Sequence, residues 1–105
     1  MYIPRPLEDK VTIPQLKKLK QQGEKFTCLT AYDYSFATVM EDCGVEVVLV
    51  GDSLGMVIQG HDTTIPVTLE NIEYHGKAVA AGLNNAMLML DMPFGSLNSP
   101  QQALD

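Results

Sequence analysis

Two short segments of the chain, 47–53 and 87–94, each combine an apolar run with an aspartate and a turn. In the first, Val-Val-Leu-Val and a glycine are followed by Asp52 and Ser53. In the second, Met-Leu-Met-Leu is followed by Asp91 and then by Met-Pro-Phe. Such runs are typical of buried parallel strands, which lie about 4.8 Å apart and run in the same direction. Both aspartates are therefore expected at one edge of a sheet, where two carboxylates suit a hard divalent cation with positions open for a substrate.

Periodicity and capping residues place these segments in a series of alternating helices and strands. Three helices are predicted to begin after the capping residues Thr12, Asp33 and Thr68. The predicted strands cover 26–30, 46–50 and 86–90, and a long connection covers 51–67. Regular alternation of this kind predicts an α/β fold with a parallel sheet and right-handed crossovers.

The 105 residues are predicted to form a single partial domain. It would consist of an irregular arm over 1–11, a leading helix over 12–22 and βα units over 25–105. A strong helix start at 99–102, Ser-Pro-Gln-Gln, is followed by only three further residues. We therefore expect a truncated chain whose small sheet has open edges and an uncovered face.

Composition limits the kinds of partner and the cellular compartment that we expect for this chain. A formal net charge of −6 argues against nucleic acid or an anionic membrane as the main partner. No apolar stretch approaches the roughly 20 residues of a membrane-spanning helix, and the start lacks the apolar region of a secretory signal. Cys28 and Cys43 do not form a Cys-x-x-Cys pair. They are expected to be reduced packing residues of a cytoplasmic protein.

The candidate site residues also have purely structural interpretations. Asp52 could brace the turn after its strand, and Ser53 could bond to the local backbone. Asp91 ends a buried strand, where a carboxylate is costly unless it is paired or bound to a metal. For Asp33, a helix cap is favoured over a catalytic role. Tyr32 could line the same edge or pack in the core.

Other residues are assigned mainly structural roles. His61, beside Asp62, is expected to lie in a polar loop, and His75 to lie on a helix as a surface or packing residue. In the second helix, apolar residues recur at helical spacing and are expected to form its packed stripe: Phe36, Val39, Met40 and Cys43. The methionines near the second aspartate are interpreted as core residues: Met87, Met89 and Met92.

Four motifs together resemble a known family. They are Thr-Ala-Tyr-Asp at 30–33, Val-Gly-Asp-Ser-Leu-Gly-Met at 50–56, Pro-Val-Thr-Leu-Glu at 66–70 and Asp-Met-Pro-Phe at 91–94. In this order and spacing they resemble ketopantoate hydroxymethyltransferases, from about Thr12 to Asp105. The resemblance implies the N-terminal part of a (β/α)8 TIM barrel, and a homo-oligomer for the full-length family.

The same resemblance implies the site and the reaction. Asp52 and Asp91 would bind Mg²⁺, and together with Ser53 they would bind 3-methyl-2-oxobutanoate. A hydroxymethyl group from 5,10-methylenetetrahydrofolate would then give 2-dehydropantoate, in pantothenate biosynthesis, with Mg²⁺ polarising the ketone and stabilising the enolate. The family's third carboxylate ligand, substrate-binding lysine and general-base glutamate have no counterparts in this chain. The chain alone is therefore expected to be inactive.

Two alternatives remain open at this point. One is a lyase or mutase of the phosphoenolpyruvate mutase and isocitrate lyase group, whose members also hold Mg²⁺ and a 2-oxo acid at the top of a similar barrel. The other is a non-catalytic fragment, or half of a split enzyme. The motifs around Tyr32 and Thr68 favour the transferase.

Overall fold

The computed structural model of the chain describes residues 5–104. Its helices are α1 (Ile13–Gln21), α2 (Tyr34–Asp42), α3 (Leu54–Val57), α4 (Leu69–Ala81) and α5 (Pro100–Leu104). Its strands are β1 (Cys28–Thr30), β2 (Val47–Val50) and β3 (Met87–Leu90), which form one parallel sheet in the order β1-β2-β3. The predicted α/β class is confirmed, and the small parallel sheet is consistent with part of a barrel.

Side-chain caps start three of these helices where the sequence predicts. Thr12 and Thr68 each accept a hydrogen bond from the third residue of their helix, and each forms a complete capping box, with Gln15 and Asn71 respectively. Asp33 accepts a hydrogen bond from the backbone N–H of Phe36 at 2.8 Å. These contacts are local in the chain, which is why sequence spacing alone locates them.

The connection after β2 contains a short helix that the sequence analysis did not predict. Leu54 in α3 is fully buried and Gly55 is also buried. A Cβ atom at Gly55 would lie 2.5 Å from a methyl carbon of Val67, so glycine permits this close packing. Because glycine lowers intrinsic helix propensity, tertiary contacts decide the conformation of this segment.

The core lies between β2 and the two helices α2 and α4. Its fully buried members include Val48, Val50, Ala37 and Val79. The helices α2 and α4 approach so closely that a Cβ atom at Gly82 would lie 2.9 Å from a backbone oxygen of α2. The sheet is therefore covered on the helix side.

The packed face of α2 differs from the predicted stripe. Phe36 and Val39 are 63% and 58% exposed, whereas Ala37 and Glu41 are buried. The close approach of α4 accounts for this, since the small Ala37 lies against Gly82, the C-cap residue of α4. The exposed apolar residues lie on the side of α2 that no other described element covers closely.

The outer strands are much more exposed than β2. Every residue of β1 is exposed, so the prediction of a packing role for Cys28 is wrong. Cys28 and Cys43 are both free thiols. The interpretation of the methionines as core residues is also wrong, because Met89 and Met92 are 46% and 44% exposed and Met87 is half-buried. Within residues 5–104, β1 and β3 each have a neighbour on one side only, as the expected open edges require.

The arm before α1 contacts the loop before β3, at the end of the sheet where the strands begin. Its first four residues, like Asp105, lie outside the described part of the chain. The backbone N–H of Val11 donates to the carbonyl of Asn85 at 2.7 Å, and the Asn85 side chain donates to the carbonyl of Leu7 at 3.0 Å. Between residues 5 and 104, no helix is both long and apolar enough to span a membrane.

Candidate metal and substrate site

The two aspartates lie side by side where β2 and β3 end. The backbone N–H of Asp91 donates to the carbonyl of Val50 at 3.0 Å, which extends the strand pairing by one residue. The backbone N–H of Asp52 then donates to Oδ2 of Asp91 at 3.1 Å. Both aspartates are half-buried. The structure therefore confirms the prediction that both aspartates lie at one edge of the sheet.

Gly51 makes room for the Asp91 carboxylate. Gly51 is buried, and a Cβ atom there would lie 3.1 Å from Oδ2 of Asp91 and 3.5 Å from Oγ of Ser53. Any larger residue would press against the carboxylate that the Asp52 N–H holds. The glycine is thus part of the geometry of the site and not merely a turn residue.

Ser53 faces a side chain from another strand end. It stands at the start of α3, but its hydroxyl makes no capping bond to the helix. Instead, Oγ of Ser53 is hydrogen-bonded to the hydroxyl of Tyr32, which follows β1. The alternative prediction, that the Ser53 hydroxyl bonds to the local backbone, is therefore wrong. Residues after all three strands therefore meet at this edge.

His75 supports this arrangement from α4. Its Nδ1 lies 2.7 Å from the carbonyl oxygen of Tyr32, and since a carbonyl can only accept, Nδ1 carries the hydrogen. His75 is half-buried and also packs edge-to-face against Tyr74. His75 lies on a helix, α4, as predicted, and its half-buried position agrees with the expected surface or packing role.

The donor set suits a hard cation. A carboxylate offers about four acceptor positions, so the single hydrogen bond to Asp91 leaves most of its capacity available. Mg²⁺ is commonly held by one or two carboxylates and keeps several other positions for water or substrate. Among residues 5–104 there is no cluster of three or more His, Cys, Asp or Glu side chains placed to hold a metal. Asp52 and Asp91 thus fit a partial ligand set.

The remaining candidates make other contacts or are exposed. Asp33 caps α2 and lines a cleft of about 190 Å³ together with Tyr32 and Ile58. His61 and Asp62 are both exposed in the loop after α3, which agrees with the polar-loop interpretation. None of these three charged or titratable side chains is needed to build the edge at Asp52 and Asp91.

Sequence reasoning missed one buried carboxylate, Glu41. Its Oε1 accepts hydrogen bonds from the backbone N–H groups of Asn84, Asn85 and Ala86, at 2.6, 2.9 and 3.1 Å. These bonds fix the loop that leads into β3, the strand that carries Asp91. Glu41 lies four residues after the buried Ala37, so helical spacing is the signal that could have placed it on the packed face.

Comparison with known proteins identifies relatives over nearly the whole chain. The family model for ketopantoate hydroxymethyltransferase matches residues 10–105. A 3-methyl-2-oxobutanoate hydroxymethyltransferase of Janthinobacterium sp. (strain Marseille) is 53% identical over 102 residues, which cover 97% of this chain and 38% of that protein. Its counterpart in Marinomonas sp. (strain MWYL1) is 56% identical over 101 residues, covering 96% of this chain and 37% of that protein.

A third relative, the 3-methyl-2-oxobutanoate hydroxymethyltransferase of Shewanella loihica, is 55% identical over 95 residues, which cover 90% of this chain and 36% of that protein. The chain thus spans little more than a third of the length of these relatives. The family match includes both strand-end aspartates and all four motifs. The resemblance inferred from the motifs is confirmed: this chain belongs to the ketopantoate hydroxymethyltransferase family.

Proposed function

We propose that this chain supplies the Mg²⁺-binding and oxo-acid-binding part of an enzyme that transfers a hydroxymethyl group from 5,10-methylenetetrahydrofolate to 3-methyl-2-oxobutanoate. The observation that carries the proposal is the contact between Asp52 and Asp91 at one edge of the sheet. It is supported by relatives that bear the name of this transferase and match the chain throughout that edge.

In this proposal Asp52 and Asp91 hold the cation through their carboxylate oxygens. When bound, Mg²⁺ supplies a Lewis acid that polarises the ketone of the oxo acid and favours loss of the proton at C3. The hydrogen bond from the Asp52 N–H orients the Asp91 carboxylate, and Gly51 leaves space for it. Ser53 donates its hydroxyl hydrogen to the oxo acid.

Electrostatics makes binding of the oxo acid depend on the cation. The substrate is an anion, and it would approach two aspartates in a chain whose formal net charge is −6. Without a cation, like charges at close range oppose binding. The residues of this chain therefore bind and orient the substrate. Removal of the proton is assigned to a base that the resemblance places further along the family's chain.

A hybrid enzyme tests the proposal. In this hybrid, the 105-residue chain replaces the segment of the Janthinobacterium relative with which it aligns. We expect the hybrid to form 2-dehydropantoate from 3-methyl-2-oxobutanoate and the folate donor only when Mg²⁺ is present. We also expect the oxo acid to bind in a calorimetric titration with Mg²⁺ and to fail to bind with a chelator.

The outcomes separate the proposal from its alternatives. A folded hybrid with the relative's oligomeric size that lacks transferase activity and does not bind Mg²⁺ would contradict the proposal. Turnover of phosphonopyruvate or isocitrate, with none of 3-methyl-2-oxobutanoate, would favour the lyase or mutase. The family assignment speaks against that alternative.

Two further parts of the proposal concern the setting of the protein. We place it in the cytoplasm, where its free thiols Cys28 and Cys43 would stay reduced. We also propose that the enzyme is a homo-oligomer, as the family resemblance implies. Gel filtration of the hybrid beside the parent relative measures whether this chain supports the same assembly.

A further inference from the structure

We propose that Tyr32 is a positioning residue that directs the hydroxyl hydrogen of Ser53 toward the oxo acid. This inference rests on the proposed function, because it assumes that Ser53 donates to the substrate. Tyr32 follows the carboxyl end of β1, whereas the proposed metal ligands Asp52 and Asp91 follow β2 and β3. It would make the first strand of the sheet part of the substrate site.

The hydroxyls of Tyr32 and Ser53 are joined by a hydrogen bond. Both residues are half-buried. Each hydroxyl has one hydrogen to donate and two lone pairs to accept. If Ser53 donated to Tyr32, it would have no hydrogen left for a ligand. If Tyr32 donates, the Ser53 hydrogen is free and its direction is restricted.

Acidity favours the second arrangement. A phenol is a more acidic group, and so a stronger hydrogen-bond donor, than an aliphatic alcohol. An anionic ligand beside Ser53 adds to this preference, because the serine must then donate to the ligand. In the resulting series of hydrogen bonds, Tyr32 donates to Ser53 and Ser53 donates to the oxo acid. Consecutive hydrogen bonds of this kind polarise and strengthen one another.

The backbone of Tyr32 is held on both sides. Just before it, the N–H of the buried Ala31 donates to the carbonyl of Leu49 in β2 at 3.1 Å. Its own carbonyl accepts from Nδ1 of His75 in α4 at 2.7 Å. A sheet bond and a helix side chain thus fix the position from which the tyrosine reaches Ser53. Such support is what a group needs if it is to orient another.

Substitutions in the hybrid enzyme test the inference. Tyr32→Phe removes only the hydroxyl, and Tyr34→Phe makes the same change at an exposed tyrosine two residues away. We expect Tyr32→Phe to raise the Kd and KM for the oxo acid by about three- to tenfold, as for loss of one hydrogen bond, with kcat and the Kd for Mg²⁺ little changed. Tyr34→Phe should change none of these constants.

A double-mutant comparison identifies Ser53 as the group through which Tyr32 acts. We expect Ser53→Ala to weaken oxo-acid binding by about tenfold or more, since it removes a hydrogen bond to an anion. The combined Tyr32→Phe and Ser53→Ala variant should bind no more weakly than Ser53→Ala alone, because no serine hydrogen remains to be directed. Independent, multiplying effects would overturn the inference.

The remaining outcomes distinguish this inference from the proposed function. If Ser53→Ala weakens binding and Tyr32→Phe does not, the inference fails while the substrate role of Ser53 stands. If Ser53→Ala binds the oxo acid normally, the substrate role of Ser53 fails and the inference fails with it. In either case the Mg²⁺ titration of the aspartate variants still tests the metal site separately.

Variants of His75 provide a second test should Tyr32→Phe fail to fold. His75→Ala removes the hydrogen bond to the Tyr32 carbonyl, whereas the amide nitrogen of His75→Asn can replace Nδ1. We expect weaker oxo-acid binding in His75→Ala and recovery in His75→Asn. Equal affinities in the two variants would contradict the proposed support of Tyr32.

Discussion

The backbone N–H of Asp52 and the Oδ2 atom of Asp91 are joined by a 3.1 Å hydrogen bond between residues 39 positions apart. The bond lies just beyond the last paired residues of β2 and β3, Val50 and Leu90. Because the Asp91 carboxylate accepts from the backbone of Asp52, this bond holds the two residues together at the sheet edge.

Neutralising either aspartate should weaken Mg²⁺ binding. Asp52→Asn and Asp91→Asn keep the size of the side chain but remove its negative charge. We expect the affinity of the hybrid enzyme for Mg²⁺, measured by calorimetry, to fall by at least about 10- to 100-fold, and turnover at low Mg²⁺ to fall with it. Asp33→Asn is the matched control, since asparagine also caps helices well. Unchanged Mg²⁺ affinity in both site variants would remove the ligand assignment.

Adding a methyl group at Gly51 should disturb the same site without a charge change. In Gly51→Ala the new Cβ would lie 3.1 Å from Oδ2 of Asp91, so the carboxylate must shift by a few tenths of an ångström. We expect a severalfold loss of Mg²⁺ affinity, with a melting temperature close to that of the unsubstituted hybrid.

The comparison that checks this interpretation is a second double variant. Once Asp91→Asn has weakened the metal site, adding Gly51→Ala should have little further effect on Mg²⁺ affinity. A full additional loss would show that Gly51 acts on the site by another route.

Removing the Glu41 carboxylate should destabilise the fold. Glu41→Ala leaves the backbone N–H groups of Asn84, Asn85 and Ala86 without their acceptor. A buried unsatisfied donor costs about 1 to 3 kcal/mol, and since these three hydrogen bonds are only partly buried, we expect a total loss of about 3 kcal/mol in the free energy of unfolding. Glu41→Gln, which retains one oxygen, should cost less. Denaturant unfolding of the hybrid measures both.

The neighbouring residue offers the control for this prediction. Asp42 is exposed and stands at the end of α2, where a negative charge is not favoured by the helix dipole. Asp42→Ala should therefore leave stability almost unchanged. A loss as large as that of Glu41→Ala would mean that the three backbone hydrogen bonds are not the cause.

The 105-residue polypeptide assayed by itself should show no transferase activity. The family resemblance places the third metal ligand, the lysine and the general base outside the residues matched by this chain. We also expect it to self-associate or to be poorly soluble, because apolar side chains such as Leu29 and Met89 are 46% exposed. Formation of 2-dehydropantoate by the pure polypeptide, or a monodisperse monomer with a cooperative melt, would contradict these expectations.

Features that depend on near neighbours in the chain follow from the sequence. The caps at Thr12, Asp33 and Thr68 need only a side chain and an N–H three residues away. The position of Asp52 and Asp91 also followed, because parallel strands bring their carboxyl ends to one edge whatever their detailed packing.

Packing and exposure were predicted less well. Spacing placed Phe36 on the packed face of α2, and apolar character placed Met89 in the core, yet both are exposed. Helical spacing shows which residues share a face, but only the neighbouring elements decide which face is covered. Here Gly82, directly after α4, lies against Ala37, and β3 has a neighbour on one side only among the described strands.

The sequence by itself determined the alternation of the strands with all the helices except α3, the family, and the pair of acidic residues at the sheet edge. Only the tertiary structure decided that Tyr32 bonds to Ser53, that His75 holds Tyr32, and that Glu41 binds the loop before β3. These contacts join residues 21 to 45 positions apart. No local spacing encodes such pairs, because they depend on how the helices pack against the sheet.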